Sequence, residues 1–270
     1  MKVLSLFILI NVLTVEVFAQ DLNVLSLTKT INGEFEYFMP DELGNLFGLT
    51  KNGQLKKYNN NLDSMGVFNN VRRYGKLFSI SADNPLRTVL YFKEYRTILV
   101  LDRLMQVVNK IDLRKAGIFQ VKAVAQSYDN LFWVYDEQES KLKKINEEGR
   151  LVFATADLRL VFSEAIIPVN IFDAGGYVYI YDEKNGLFIF DYYGAMKNRI
   201  ALLDWKNVHH LGKQIVGIKT NHLVTYTPGN IDTKEYPLSE TLLGYEQIHF
   251  TASGCFVLKN GSIYKYDWKK

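Results

Sequence analysis

The chain has 270 residues, of which 48% are hydrophobic, 23% charged and 14% aromatic, with a formal net charge of +3. Such a composition supports one large packed core and excludes a disordered or low-complexity chain. So small a positive surplus excludes the dense basic footprint of a nucleic-acid binder, and a single cysteine, Cys255, excludes an internal disulfide framework.

The chain opens with Met1-Lys2 and an apolar run from Val3 to Val15, broken only by Ser5, Asn11 and Thr14. Val17 and Ala19 then meet the small-residue rule for signal cleavage, so residues 1–19 read as a secretory signal peptide cut before Gln20. The run is shorter than the roughly twenty residues a membrane span needs, and Glu16 follows it directly. No cysteine follows the cut to accept a lipid, so the expected mature chain is soluble, without a membrane span, and periplasmic or extracellular.

From Leu46 onward a hydrophobic phrase, a polar turn and a second hydrophobic phrase recur six times. Leu46–Leu49 leads to Tyr58, Val89–Phe92 to Leu101, and Leu131–Tyr135 to Ile145. Tyr177–Tyr181 leads to Phe190, Ile215–Ile218 to Tyr226, and Cys255–Leu258 to Tyr266. The second phrases end at steps of 36 to 45 residues, the period of a four-stranded β-propeller blade. Lys51-Asn52-Gly53, Lys184-Asn185-Gly186 and Lys259-Asn260-Gly261 supply the Asn-Gly pairs that tight hairpin turns favour, at equivalent places in three repeats.

An inner strand is expected before each hairpin, as at Val121–Ala125 and Val169–Phe172, and an outer one after it, as at Gln106–Leu113 and Asn198–Leu203. The last repeat ends after its third strand, and Leu22–Thr28 has the alternation to supply the fourth, closing the ring. Leu158–Glu164 and Ser239–Leu243 do not alternate and read as short helices or turns, with Ser239 at an N-cap position. The predicted fold is therefore all-β: one domain over residues 20–270, a six-bladed propeller of four-stranded antiparallel blades, its last blade closed by the N-terminal strand.

Basic pairs at Lys56-Lys57, Arg72-Arg73, Lys143-Lys144 and Lys269-Lys270 read as outward, solvated strand positions. Cys255, inside an apolar phrase, reads as a small buried hydrophobe.

Asn130-Leu131-Phe132-Trp133-Val134-Tyr135-Asp136, then Lys141–Ile145 and Gly149-Arg150-Leu151, resembles the repeat of NHL-type and gluconolactonase-like six-bladed propellers. Tyr179–Asp182 with Phe188–Asp191 and Gly194 repeats the scheme, and the chain also resembles secreted propellers of Bacteroidota-like bacteria. The gluconolactonase resemblance implies a divalent metal held in the central channel by Glu, Asn and Asp side chains. Glu36, Asn170 and Asp173 are the nearest candidates here.

Reading the inner strands directly adds Glu34, Lys122, His209, His210 and His249 to the channel wall, with Glu36 brought beside His249 by ring closure. Imidazoles and a carboxylate converging there have the chemistry of a zinc site, while water-filled channels are polar without any metal. There is no Gly-x-Ser-x-Gly elbow, phosphate-binding glycine loop, His-Glu-x-x-His or paired-cysteine motif. Tyr192-Tyr193, Trp205 and Trp268 offer contact residues for a protein, peptide or glycan, with inter-blade packing of Tyr192-Tyr193 and cover of the closure seam by Trp268 as the alternatives. The sequence thus points to a monomeric, exported binding module without catalysis or cofactor of its own, with a metal-dependent lactonase-like hydrolase as the alternative.

Overall fold

A computed structural model describes residues 25–162 and 164–269. The signal segment, Leu22–Val24 of the expected closing strand, Ser163 and Lys270 lie outside the described residues.

Each blade begins with an inner strand and runs outward. Blade 1 holds β2 (Phe35–Pro40), β3 (Leu46–Thr50), β4 (Leu55–Tyr58) and β5 (Ser64–Phe68), following the N-terminal strand β1 (Leu25–Ile31). Blade 2 holds β6 (Ser79–Asn84), β7 (Arg87–Phe92), β8 (Thr97–Asp102) and β9 (Val107–Asp112). Blade 3 holds β10 (Val121–Gln126), β11 (Phe132–Asp136), β12 (Lys141–Ile145) and β13 (Leu151–Ala154). Blade 4 holds β14 (Asn170–Ala174), β15 (Tyr177–Asp182), β16 (Gly186–Asp191) and β17 (Met196–Ile200). Blade 5 holds β18 (Lys206–Leu211), β19 (Gln214–Lys219), β20 (His222–Tyr226) and β21 (Thr233–Pro237). Blade 6 holds β22 (Gln247–Thr251), β23 (Gly254–Lys259) and β24 (Ser262–Trp268), and β1 pairs antiparallel on β24, Leu25 opposite Trp268 and Ile31 opposite Ile263.

The inner strands contact one another in a closed cycle, β2 to β6, β10, β14, β18, β22 and back to β2. Both faces of every blade are therefore covered, and the core divides into six seams, one between each pair of neighbouring blades. The six-blade fold and its closure by the N-terminal strand are as the repeat predicts. Trp268 lies on the closing strand and packs against the seam between blades 5 and 6. Cys255 is buried in that same seam, which pushes its thiol pKa up.

Strand ends shift where turn chemistry overrides alternation. The outer strand expected at Asn198–Leu203 runs over Met196–Ile200, because Asp191 accepts the N–H groups of Tyr193 and Ala195 and ends the preceding loop early. The two non-alternating stretches form single 3-10 turns at Leu158–Leu160 and Glu240–Leu242, and no α-helix occurs among the described residues. Ser239 sits at the N-cap, but its hydroxyl pairs with Thr241 Oγ1 rather than capping the backbone.

The solvated reading of the basic pairs holds for Arg72, Arg73 and Lys269 and fails for Lys57, Lys143 and Lys144, which are buried. Lys143 Nζ lies 2.6 Å from Asp136 and 2.9 Å from Glu139, Lys144 Nζ lies 2.7 Å from Asp129, and Lys57 donates to the Arg103 carbonyl and covers the Phe47 ring. Paired acceptors make these positions tolerable, and a hydrophobic-polar pattern does not register partners from other strands. No helix among the described residues is long and apolar enough to cross a membrane.

All three Asn-Gly turns join the second and third strands of their blades, with glycine φ of 79°, 89° and 71° at Gly53, Gly186 and Gly261. A Cβ at Gly186 would lie 2.3 Å from the Ile200 carbonyl oxygen, whereas one at Gly53 meets only the flexible Arg72 side chain. Gly186→Ala should therefore lower unfolding free energy by about 3 kcal/mol or more and Gly53→Ala by about 1 kcal/mol. Urea denaturation of the two variants side by side measures the contrast.

Candidate binding face and channel

Antiparallel order sends the loops between first and second and between third and fourth strands to one face of the ring, here the front face. Blades 1 to 4 build their third-to-fourth loops on one plan. Asn59, Asp102, Asn146 and Asp191 each accept an N–H from the residue four positions on, and the residue three positions on has positive φ: Leu62, Met105, Gly149 and Gly194. This Asx chemistry fixes the loop tips, with Leu62 and Met105 turned into the seams in blades 1 and 2. The sequence carries it as Asp or Asn at the end of each third strand, a signal not weighed in the repeat alignment.

In blade 4 the plan presents Tyr192 and Tyr193. Tyr193 is 86% exposed, while Tyr192 packs back toward blade 3. There it stacks on Tyr128 with ring centroids 4.7 Å apart and on Trp133 at 6.3 Å. Lys144 Nζ lies over all three rings, 5.3 Å from Tyr128, 4.8 Å from Trp133 and 5.5 Å from Tyr192. Tyr128 remains 69% exposed, so its ring is held by stacking and open to solvent at once. Trp205, by contrast, is buried, exchanging backbone hydrogen bonds with the Tyr181 hydroxyl, and is no surface contact.

Beneath this stack sits Asp173 on β14. Its carboxylate accepts from Ser127 Oγ (2.9 Å), Trp133 Nε1 (3.0 Å), the Tyr128 N–H (3.4 Å) and the Tyr192 hydroxyl. Burial, and then the Asp173 carboxylate to which it donates, push the Tyr192 hydroxyl pKa up. Four donors occupy the acceptor sites a metal would need, so Asp173 does not fit the role implied by the gluconolactonase resemblance. Asn170 donates through Nδ2 to the Val208 carbonyl at 2.8 Å, and Glu36 is exposed on β2. Among the described residues no group of three or more His, Cys, Asp or Glu side chains is arranged to hold a metal ion.

The histidines come together only in part. His209 and His249 stack at 3.7 Å between centroids, and both His209 nitrogens face backbone carbonyls, Nδ1 to Asn207 at 2.8 Å and Nε2 to Phe250 at 3.0 Å. A neutral imidazole can donate to only one of these. Burial nonetheless holds the His209 pKa below its ordinary value, and burial together with the neighbouring His209 and His210 holds His249 well below. His210 points elsewhere, against the Phe172 ring, with Nε2 3.9 Å from both Glu42 of blade 1 and Asp83 of blade 2. No hydrogen bond or ion pair among the described residues joins Glu36 to His249, and Lys122 lies 3.7 Å from Glu137 of its own blade.

Asp173→Ala strands three side-chain donors and should cost about 2–4 kcal/mol, read by urea unfolding followed by tryptophan fluorescence. For the stacked histidines, the unfolded imidazoles take up protons near pH 6.5 while the folded ones resist, so the unfolded state binds more protons and stability falls as pH drops below that value. Each contributes a slope of at most about 1.4 kcal/mol per pH unit. His249→Phe, which keeps the stack, should flatten the decline in melting temperature between about pH 7.5 and 5.5.

No protein-family model matches the sequence, and no curated protein matches it. Solved structures do share the fold. A streptogramin B lyase aligns at 18% identity and TM-score 0.57 over 85% of this chain and 78% of its own. The Pan2 WD40 domain of Neurospora crassa aligns at 10% identity and TM-score 0.61 over 93% and 97%. The extracellular domain of a hybrid two-component system from B. thetaiotaomicron aligns at 14% identity and TM-score 0.55 over 84% of this chain and 33% of that one. At these identities the likeness is one of fold, a β-propeller.

Proposed function

We propose that the protein is an exported, monomeric binding module that engages a protein, peptide or glycan partner through the front face of the ring and carries no catalysis of its own. The observation that supports this most is the rigid aromatic rim: Tyr128, stacked yet exposed, and Tyr193, exposed on a loop whose backbone is locked by Asp191. A ring already held by stacking, as Tyr128 is, loses little entropy on contact, and a large exposed ring on a fixed backbone, as Tyr193 is, offers a second anchor. Propeller neighbours such as the Pan2 WD40 domain and a chain of the mitotic checkpoint complex make a binding role familiar for the fold, and the extracellular neighbour is compatible with export. Export would proceed with cleavage before Gln20, leaving residues 20–270 as the mature domain, in the periplasm or outside the cell.

The hydrolase alternative needs Glu36, Asn170 and Asp173, or the histidines, to be free for a metal. Asp173 and His209 instead hold neighbouring blades together.

The test uses immobilised protein presented with glycan and peptide arrays and with envelope extract. A saturable ligand should be retained, and Tyr193→Ala and Tyr128→Ala should weaken it at least tenfold, with the melting temperature of Tyr193→Ala unchanged. Chelator-sensitive hydrolysis of a lactone by the purified protein, lost in Glu36→Ala or His249→Ala while the fold persists, would replace this reading with the lactonase-like one.

A further inference from the structure

The turns between second and third strands, and the links from one blade to the next, lie on the back face of the ring, opposite the front-face loops. Their charge is divided unevenly. Segments 51–54, 69–78, 93–96 and 113–120, the turns of blades 1 and 2 and the links that leave them, hold eight Lys and Arg and one Glu, a surplus of seven positive charges. The remaining back-face segments (32–34, 137–140, 155–169, 183–185, 201–205, 220–221, 238–246 and 260–261) hold two basic and nine acidic residues, a surplus of seven negative charges. The net charge of +3 conceals this division.

The four basic segments form one surface. Arg72 Nη2 donates to the Lys51 carbonyl at 3.3 Å, joining the first two, and Lys93 Nζ lies 5.1 Å from the centre of the Phe78 ring, joining the second and third. The Leu113 N–H donates to the Arg96 carbonyl at 2.9 Å and Arg96 Nε donates to the Phe119 carbonyl, joining the third and fourth. Lys51, Arg73, Lys76 and Lys93 are exposed and form no ion pair among the described residues. Glu94, the single carboxylate of these segments, accepts the Lys76 N–H at 3.4 Å. Phe78, Tyr95 and Phe119 stand among the cations and are 46%, 52% and 49% exposed. Phe78 meets Tyr91 edge-on at 5.8 Å, and a Cβ built at Gly75 would fall 2.9 Å from the Tyr95 ring, so both rings are seated on the link between blades 1 and 2.

Like charges gathered in this way repel one another, and an anionic partner relieves that repulsion. The other half of the face limits the partner's size. A flat anionic bilayer laid across the whole back face would meet as much negative charge as positive, whereas a peptide segment can lie on the basic half alone. We propose that the back face of blades 1 and 2 is a docking surface for an acidic peptide segment that carries aromatic or aliphatic side chains between its carboxylates. The cations steer the segment and set its register, and Phe78, Tyr95 and Phe119 receive its apolar side chains. This surface is independent of the aromatic rim on the front face.

Fluorescence anisotropy of the folded chain with a blocked, labelled peptide, Glu-Glu-Phe-Glu-Glu-Leu-Glu-Glu-Phe, tests the proposal. Saturable binding is expected, weakening about tenfold between about 50 and about 300 mM sodium chloride as the charges are screened. The same peptide with serine at its apolar positions should bind about tenfold more weakly, and one with lysine for every glutamate should not bind. R73E/K115E reverses two exposed cations and should lose about tenfold or more in affinity at unchanged melting temperature. R103E/K213E makes the same charge change at exposed positions of the front face and should stay within about twofold of the parent. If R73E/K115E melts lower, the salt dependence and the serine peptide decide on the parent chain. Absence of saturable binding, equal binding of the serine peptide, or equal losses in the two double variants overturns the proposal. Retention on phosphatidylglycerol vesicles or on duplex DNA that excess peptide fails to displace also overturns it, by assigning the basic surface to a different class of partner.

Discussion

Everything in this ring depends on one requirement: each four-stranded sheet has two apolar faces and can bury both only against two neighbours. An open row of blades would leave two faces wet, so the sheets curve into a cycle, and the cycle closes where β1 hydrogen-bonds to β24. The six apolar seams are the result, with Trp133, Tyr181, Phe92 and Phe188 among the side chains wholly enclosed in them. Closure joins residues more than two hundred positions apart, as in the Gln247 amide that both accepts from and donates to the backbone of Phe38. That contact adds a second tie between blade 6 and blade 1 beside the short link from β1 to β2.

The same requirement governs the polar residues of the inner strands. Where blades converge at the axis, each seam ends in a hydrogen bond across it. Tyr37 bonds to the Ile80 backbone and its hydroxyl, pushed up by burial, has a pKa of about 12; Tyr91 donates to Val121, Asp173 gathers donors from blade 3, Asn170 donates to Val208, and His209 meets Phe250. Polar side chains near a channel thus arise from the need to satisfy backbone groups at the inner ends of the seams. Asn170, Asp173 and His209 look like ligands when read one strand at a time and serve as ties when the neighbouring blade is present.

Period and turn chemistry made the architecture legible. Asn-Gly at Gly53, Gly186 and Gly261 sets the hairpin register locally, and alternation sets which residues enter the seams, so blade number and the closing strand followed from the chain alone. The sites were legible only in part, because each is assembled from separate blades. Lys144 reads as an exposed strand lysine until Asp129 and the rings of Tyr128, Trp133 and Tyr192 surround it, and only one of those rings lies within fifteen residues of it along the chain. His209 and His210 are sequence neighbours with opposite fates because successive strand residues face opposite sides, one toward blade 6 and the other toward blade 4.

Separation of fold from recognition follows from the same geometry. The front-face loops are held by their own Asp and Asn side chains, as at Asp41, Asp102 and Asp191, and between such anchors some side chains, Leu62 and Met105 among them, turn into the seams while others stay outside. Leu43, Leu104 and Tyr193 all occupy such positions and all are exposed. Tyr192 marks the boundary, since one residue earlier in the same loop the side chain turns inward and joins the Asp173 network. A loop locked at its base and open at its tip admits changes of specificity without loss of stability, and the aromatic rim over blades 3 and 4 is where this chain has placed its largest exposed side chains on that plan.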